Sequence, residues 1–249
     1  MSHAQEFPQD EKSESAVWSF SEGVGYFCVG YYDRAKRALT DLITLKPEFV
    51  DGYLWRADVN CRLRDFKAAL ADAEKALTLS PNSVRAHYVR ARALLALKRY
   101  DEARQEIDVT ISGGESETPA VRYVRGQILL GLGKTKEALD DFDYSFENGQ
   151  SADLIGASAF AEIKILTKNG DFEAALLKCQ DAISRNLGTK GEAYFVQGTA
   201  YNAMGKKKEA QESFAQARKS RYKGIPSPYV EDASARIYLS PHAWWYTDG

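Results

Sequence analysis

The chain has 249 residues, 44% of them hydrophobic and 27% charged, with a formal net charge of −2 at neutral pH. A chain of this size can bury an extended core, and its near-balanced charge speaks against a general nucleic-acid binder, which needs a basic excess to neutralise phosphates. It contains no apolar run of about 18 residues, the length that would read as a membrane span.

Residues 1–15 are polar and lack the basic-then-apolar order of a signal peptide, so they read as a disordered lead. From residue 16 to about 220 the chain copies itself. Ala35, Ala69 and Ala103 stand 34 residues apart, each three places after an aromatic (Tyr32, Phe66, Tyr100). The ladder continues through Ala138, Ala175 and Ala210 at spacings of 35, 37 and 35. Six repeats emerge, each too small to bury its apolar face alone, so neighbours must stack.

Each repeat reads as two helices. Four and seven residues after the anchor come Leu39 and Leu42 in the first repeat and their counterparts in the others, the spacing of one helix face. Twelve before it stand Gly23, Ala57, Ala91, Gly126, Ile163 and Gly198, mostly small, which lets helices approach closely. Gly30, Gly133, Gly170 and Gly205 mark the turn between the two helices, with Arg64 and Lys98 in that place in repeats two and three. Pro47 and Pro81 stop the second helices of repeats one and two by excluding helical geometry from the residue before them. The insertion ISGGESETP separates repeats three and four, and Ile163 makes repeat five the least regular.

Chemical motifs are scarce. Gly133-Lys134-Thr135 looks like the end of a phosphate loop, but Ile128 stands where that loop needs glycine, and the segment lies in an inter-helix turn. Cys28, Cys61 and Cys179 have no metal spacing and read as small buried hydrophobes in a reducing, cytoplasmic setting. No partner stands at relay or ligand spacing from His87, so no catalytic residue, metal site or cofactor is predicted.

The final repeat carries Tyr194, Gly198, Tyr201, Ala210, Phe214 and Ala217 in the order and spacing of the tetratricopeptide repeat, and the whole array from 16 to 220 resembles that family. The resemblance implies an all-α fold: a right-handed superhelical solenoid of about six helix-turn-helix repeats, closed here by a C-terminal capping helix. It also implies a concave face lined by the first helices at places two, five, six, nine and twelve of each repeat. The fifth places are Phe20, Leu54, Tyr88, Tyr123, Phe160 and Phe195, and Trp55 occupies a sixth place. These apolar residues, with Arg85 and Arg92, are the predicted partner-binding groove. For the fifth-place rings, packing within the repeat is the competing role. Arg85 and Arg92 either pair with Asp51 and Asp58 or present planar forks to a partner carboxylate, and pairing is preferred.

In the family, co-chaperones that grip heat-shock carboxylate tails use basic and asparagine residues at set places. Here Phe20, Val24, Trp55, Arg85 and Val89 fill them, so that clamp is not expected. Residues 221–249 leave the register. YVEDASARIYL reads as the capping helix, and Trp244, Trp245 and Tyr246 need a docking place, on this array, in its groove or in another molecule. The predicted function is a non-enzymatic adaptor or chaperone-like module holding an extended or helical apolar segment of a protein partner. The alternative is a structural subunit that assembles through its convex face, insertion or aromatic tail.

Overall fold

The computed structural model describes residues 11–115, 118–185 and 190–220, and the predicted capping helix and aromatic tail lie outside them. The fold is all-α. Twelve α-helices among the described residues form six pairs. The first three pairs are α1 (Glu11–Cys28) with α2 (Tyr32–Leu45), α3 (Val50–Arg62) with α4 (Phe66–Leu79), and α5 (Val84–Ala96) with α6 (Tyr100–Thr110). The last three are α7 (Pro119–Gly131) with α8 (Thr135–Asn148), α9 (Ala152–Asn169) with α10 (Phe172–Ser184), and α11 (Lys190–Ala203) with α12 (Lys207–Lys219). The chain divides into two compact units that meet in sequence at Gly113 and Gly114, within the insertion. The N-terminal unit holds α1–α6 and the C-terminal unit α7–α12.

Helix ends follow from local chemistry. Asp65, Ser83 and Ser151 accept from the backbone N–H three residues on, capping α4, α5 and α9. Lys46 and Ser80, each before a proline, leave the helical region at ψ 77° and 86°. Between the helices of every repeat the same turn recurs. The N–H after the turn residue donates to the carbonyl five residues back: Tyr31 to Tyr26, Asp65 to Asn60, Arg99 to Leu94, Lys134 to Leu129, Asp171 to Leu166 and Lys206 to Tyr201. The turn residue is left-handed in all six, including the non-glycines Arg64 (φ 61°) and Lys98 (φ 60°). The false phosphate loop is one of these turns.

In repeats one, four and six the small residue twelve before the anchor meets the residue four after it, and the sizes complement. A Cβ on Gly126 would stand 2.8 Å from the Phe142 ring, one on Gly198 2.7 Å from Phe214, and one on Gly23 2.7 Å from Leu39. Repeat five inverts the arrangement: Ile163 is the large partner and packs with the small Cys179 and Ala175. The irregularity seen in the sequence is therefore compensated by its facing residue.

Two further expectations are revised. Helix α1 opens at Glu11 and buries Ser13 and Ala16, so five residues read as part of the disordered lead are helical. Cys28 is exposed, Cys61 half-buried and Cys179 fully buried, so only the last is the small core residue expected. Burial alone pushes the Cys179 thiol up to about 12, which leaves it inert.

Candidate functional site

Within each unit the first helices also touch one another, α1 with α3 and α3 with α5, then α7 with α9 and α9 with α11. Within each unit the second helices make up one row, the outer row, and these first helices the other, the inner row. The residues predicted to line it divide sharply by burial. Leu54, Trp55, Tyr88, Tyr123 and Phe160 are buried, Phe20 is half-buried, and Phe195 is 43% exposed. The fifth-place side chains are thus mostly the floor of this face rather than its open surface, and Tyr123 and Phe195 pack on Phe142 and Phe214 of their own repeat's second helix at 5.6 and 5.7 Å.

Trp55 departs most from expectation. It is 2% exposed, edge-on to Phe27 at 5.6 Å, with the Arg85 guanidinium 5.2 Å above its ring. The layer over it is ionic. Arg85 donates to Asp51 at 2.7 Å and Arg92 to Asp58 at 2.5 Å, both across the 34-residue repeat, and Arg85 also stands 3.9 Å from Asp58. Arg92 lies over the Tyr88 ring at 5.7 Å. Burial works to lower the Arg92 pKa, but Asp58, Tyr88 and Cys61 together outweigh it and hold the guanidinium above its ordinary range. The preferred sequence reading, pairing rather than free forks, describes this lattice. It seals the aromatic floor of repeats two and three.

A second polar ladder escaped the sequence reading. In repeats two to six, the residue at place seven bonds to one sixteen positions later, joining first helix to second: Arg56 to Asp72, Arg90 to Glu106, Arg125 to Asp141, Lys178 to Glu162, and Ser213 to Gln197. Its spacing recurs while the residues that fill it change from repeat to repeat, so no shared residue type marks it in the sequence. In repeat five the charges are reversed. Burial pushes the Glu162 carboxyl up to about 7 against the pull of Lys178, which stands 2.9 Å away. His87 joins Glu106 at 2.7 Å in the same ladder of repeat three.

The open apolar side chains of the C-terminal unit's first helices are Leu130, at place twelve of repeat four, and Phe195. On the outer row, Leu177 of α10 is 72% exposed. No helix among the described residues is long and apolar enough to cross a membrane. No described cluster of three or more His, Cys, Asp or Glu side chains is arranged to hold a metal ion.

Tetratricopeptide repeat family models match residues 29–84, 62–128 and 191–219, together just over half of the sequence. The chain belongs to the tetratricopeptide repeat family. The array is accordingly a protein–protein interaction module of a non-catalytic scaffold class. No curated protein matches it significantly. Among solved structures it is similar to a chain of the APC/C hetero-tetramer Cut9–Hcn1 (15% identity, TM-score 0.73), covering 91% of this sequence and 43% of that chain. It is also similar to PilF of Pseudomonas aeruginosa (20%, 0.67), covering 91% and 100%. A third is YrrB, a tetratricopeptide protein with an unusual peptide-binding site (21%, 0.55), covering 81% and 100%. At these identities the likeness is one of fold.

Proposed function

We propose that the array is a non-enzymatic adaptor that holds an apolar segment of a protein partner against its first helices. The observation that supports it is Phe195, an aromatic left 43% exposed at a place buried in four of the other five repeats, on the same row as the exposed Leu130. The Phe195 ring packs on Phe214 at 5.7 Å, and covering the part still exposed is what a partner's apolar segment would gain. In the C-terminal unit Tyr123 and Phe160 act beneath this surface as its floor; the first-helix face of the N-terminal unit has its own floor in Leu54, Trp55 and Tyr88, with Phe20 at its edge and Arg85 and Arg92 shaping it through their pairs. YrrB has a peptide-binding site and the Cut9–Hcn1 chain assembles in a hetero-tetramer, which shows what this fold supports elsewhere. The heat-shock carboxylate clamp plays no part in this proposal, because Arg85 is committed to Asp51 and the other clamp places are apolar. A setting in the cytoplasm belongs to the same proposal.

The double variant Leu130→Ser/Phe195→Ser should weaken partner binding at least tenfold with helicity unchanged. Equal affinity would remove the groove. The alternative, assembly through the outer row, is favoured by one observation, the exposed Leu177 on α10. In that case Leu177→Ser, and not the double variant, abolishes binding.

A further inference from the structure

In repeats two and three, places three, six and ten of the first helix form the stacking face. They are Gly52, Trp55 and Val59 in α3, and Ala86, Val89 and Ala93 in α5, and all six are buried. A Cβ on Gly52 would meet Leu42 and Ile43 of α2 at 3.2 and 3.1 Å, which shows what this face does: it receives the preceding second helix. In α1 the same places hold Trp18, Ser21 and Gly25, and all three are exposed, Trp18 at 69%. Val29, four residues beyond Gly25 on the same line, is exposed as well.

We propose that this face pairs with the same face of a second copy of the chain, α1 against α1, antiparallel about a two-fold axis beside Ser21. The pattern is self-complementary. Trp18 and Gly25 are seven residues apart, two helical turns on one line, so an antiparallel pair centred between residues 21 and 22 lays each Trp18 ring over the other copy's Gly25. Gly25 has the space to receive it, since a Cβ there would meet nothing within 4 Å. The same register brings the exposed Glu14 of one copy toward the end of α1 where Arg34 of the other stacks on Tyr26 and Tyr31, at 5.7 and 5.5 Å. An isologous contact of this kind needs only one surface to be suitable. A single helix pair buries less than a standard interface, so the dimer is weak and belongs to high concentration.

The test is sedimentation velocity of the full chain from about 1 to 300 μM, where an interface of this size is partly populated. The wild type should dimerise. Trp18→Ala and Gly25→Leu should each weaken dimerisation at least tenfold while leaving the circular dichroism spectrum unchanged, because Gly25 faces open space in the monomer. Glu22→Gln should tighten it, since Glu22 meets its own copy beside the axis. Ser21→Cys in a Cys28→Ser background should form an intermolecular disulfide on mild oxidation, whereas Cys28 of the wild type should not, because its copies stand roughly 20 Å apart in this register at 1.5 Å per residue. A wild type that stays monomeric, a dimer that survives both Trp18→Ala and Gly25→Leu, or the absence of the Ser21→Cys disulfide would each overturn the proposal.

Discussion

Gly126→Ala is expected to destabilise the α7–α8 pair, although alanine is the better helix former. The added Cβ would stand 2.8, 3.0 and 3.1 Å from Cε1, Cδ1 and Cζ of Phe142. That ring has no exposed surface and packs at 5.6 Å on Tyr123, which is itself buried, so the strain cannot be relieved by a swing into solvent. Overpacking of this kind costs about 1–3 kcal/mol, and replacing an interior helical glycine by alanine returns about 1 kcal/mol. The net expectation is a loss of about 1 kcal/mol. Gly198→Ala supplies the control. Its Cβ would come equally near Phe214, at 2.7 Å, but Phe214 is half-buried and the ring it packs on at 5.7 Å, Phe195, is 43% exposed, so this pair has room to shift toward solvent and that variant should be neutral or better. Native-state hydrogen exchange of the α7, α8, α11 and α12 amides reads the two effects locally. The reasoning fails if Gly126→Ala is as stable as the wild type, or if both variants lose stability equally.

Lys98→Gly should stabilise repeat three by about 0.5–1 kcal/mol, because relief of a left-handed non-glycine (about 1–2 kcal/mol) exceeds the added chain entropy (about 0.5–1 kcal/mol); urea denaturation gives the sign. Glu162 binds its proton more tightly folded than unfolded, its pKa rising from 4.5 to about 7. The native state is therefore favoured at low pH, and this contribution, at most about 3 kcal/mol, is lost as pH rises from about 4.5 to about 7. Comparing unfolding free energies of the wild type and Glu162→Gln at pH 5 and pH 8 isolates it, and the variant should lose less on going to pH 8. Asp141→Asn should cost about 3 kcal/mol by leaving Arg122 and Arg125 without their shared buried carboxylate. Trp55→Ala should cost about 3–5 kcal/mol as a core truncation, visible in thermal melts.

The period, helix pairing and turns were legible because they depend on residue size and backbone freedom at fixed intervals. The division at the insertion also has a visible source, since ISGGESETP interrupts the spacing between Ala103 and Ala138. The state of Trp55 was not legible. Whether a large ring at the sixth place stands open depends on Phe27 and Arg85, one repeat before and one after, whose reach no pattern in repeat two records. Ile163 illustrates the same limit in reverse: it looked like a defect until its facing residue, Cys179, was considered with it. Charge pairing across 34 residues was foreseeable from equivalent places in adjacent repeats, whereas the sixteen-residue ladder needed complementary chemistry to be tracked instead of identity.

The interaction surface itself is tested most directly by site-specific photo-crosslinking. A photoreactive amino acid is placed singly at Leu130, Phe195 and Leu177, all exposed in the free chain, and crosslinked in the presence of a co-purified partner. Adducts from Leu130 and Phe195, with none from Leu177, are the predicted result. Adducts from Leu177 alone would place the partner on the outer row and contradict the account.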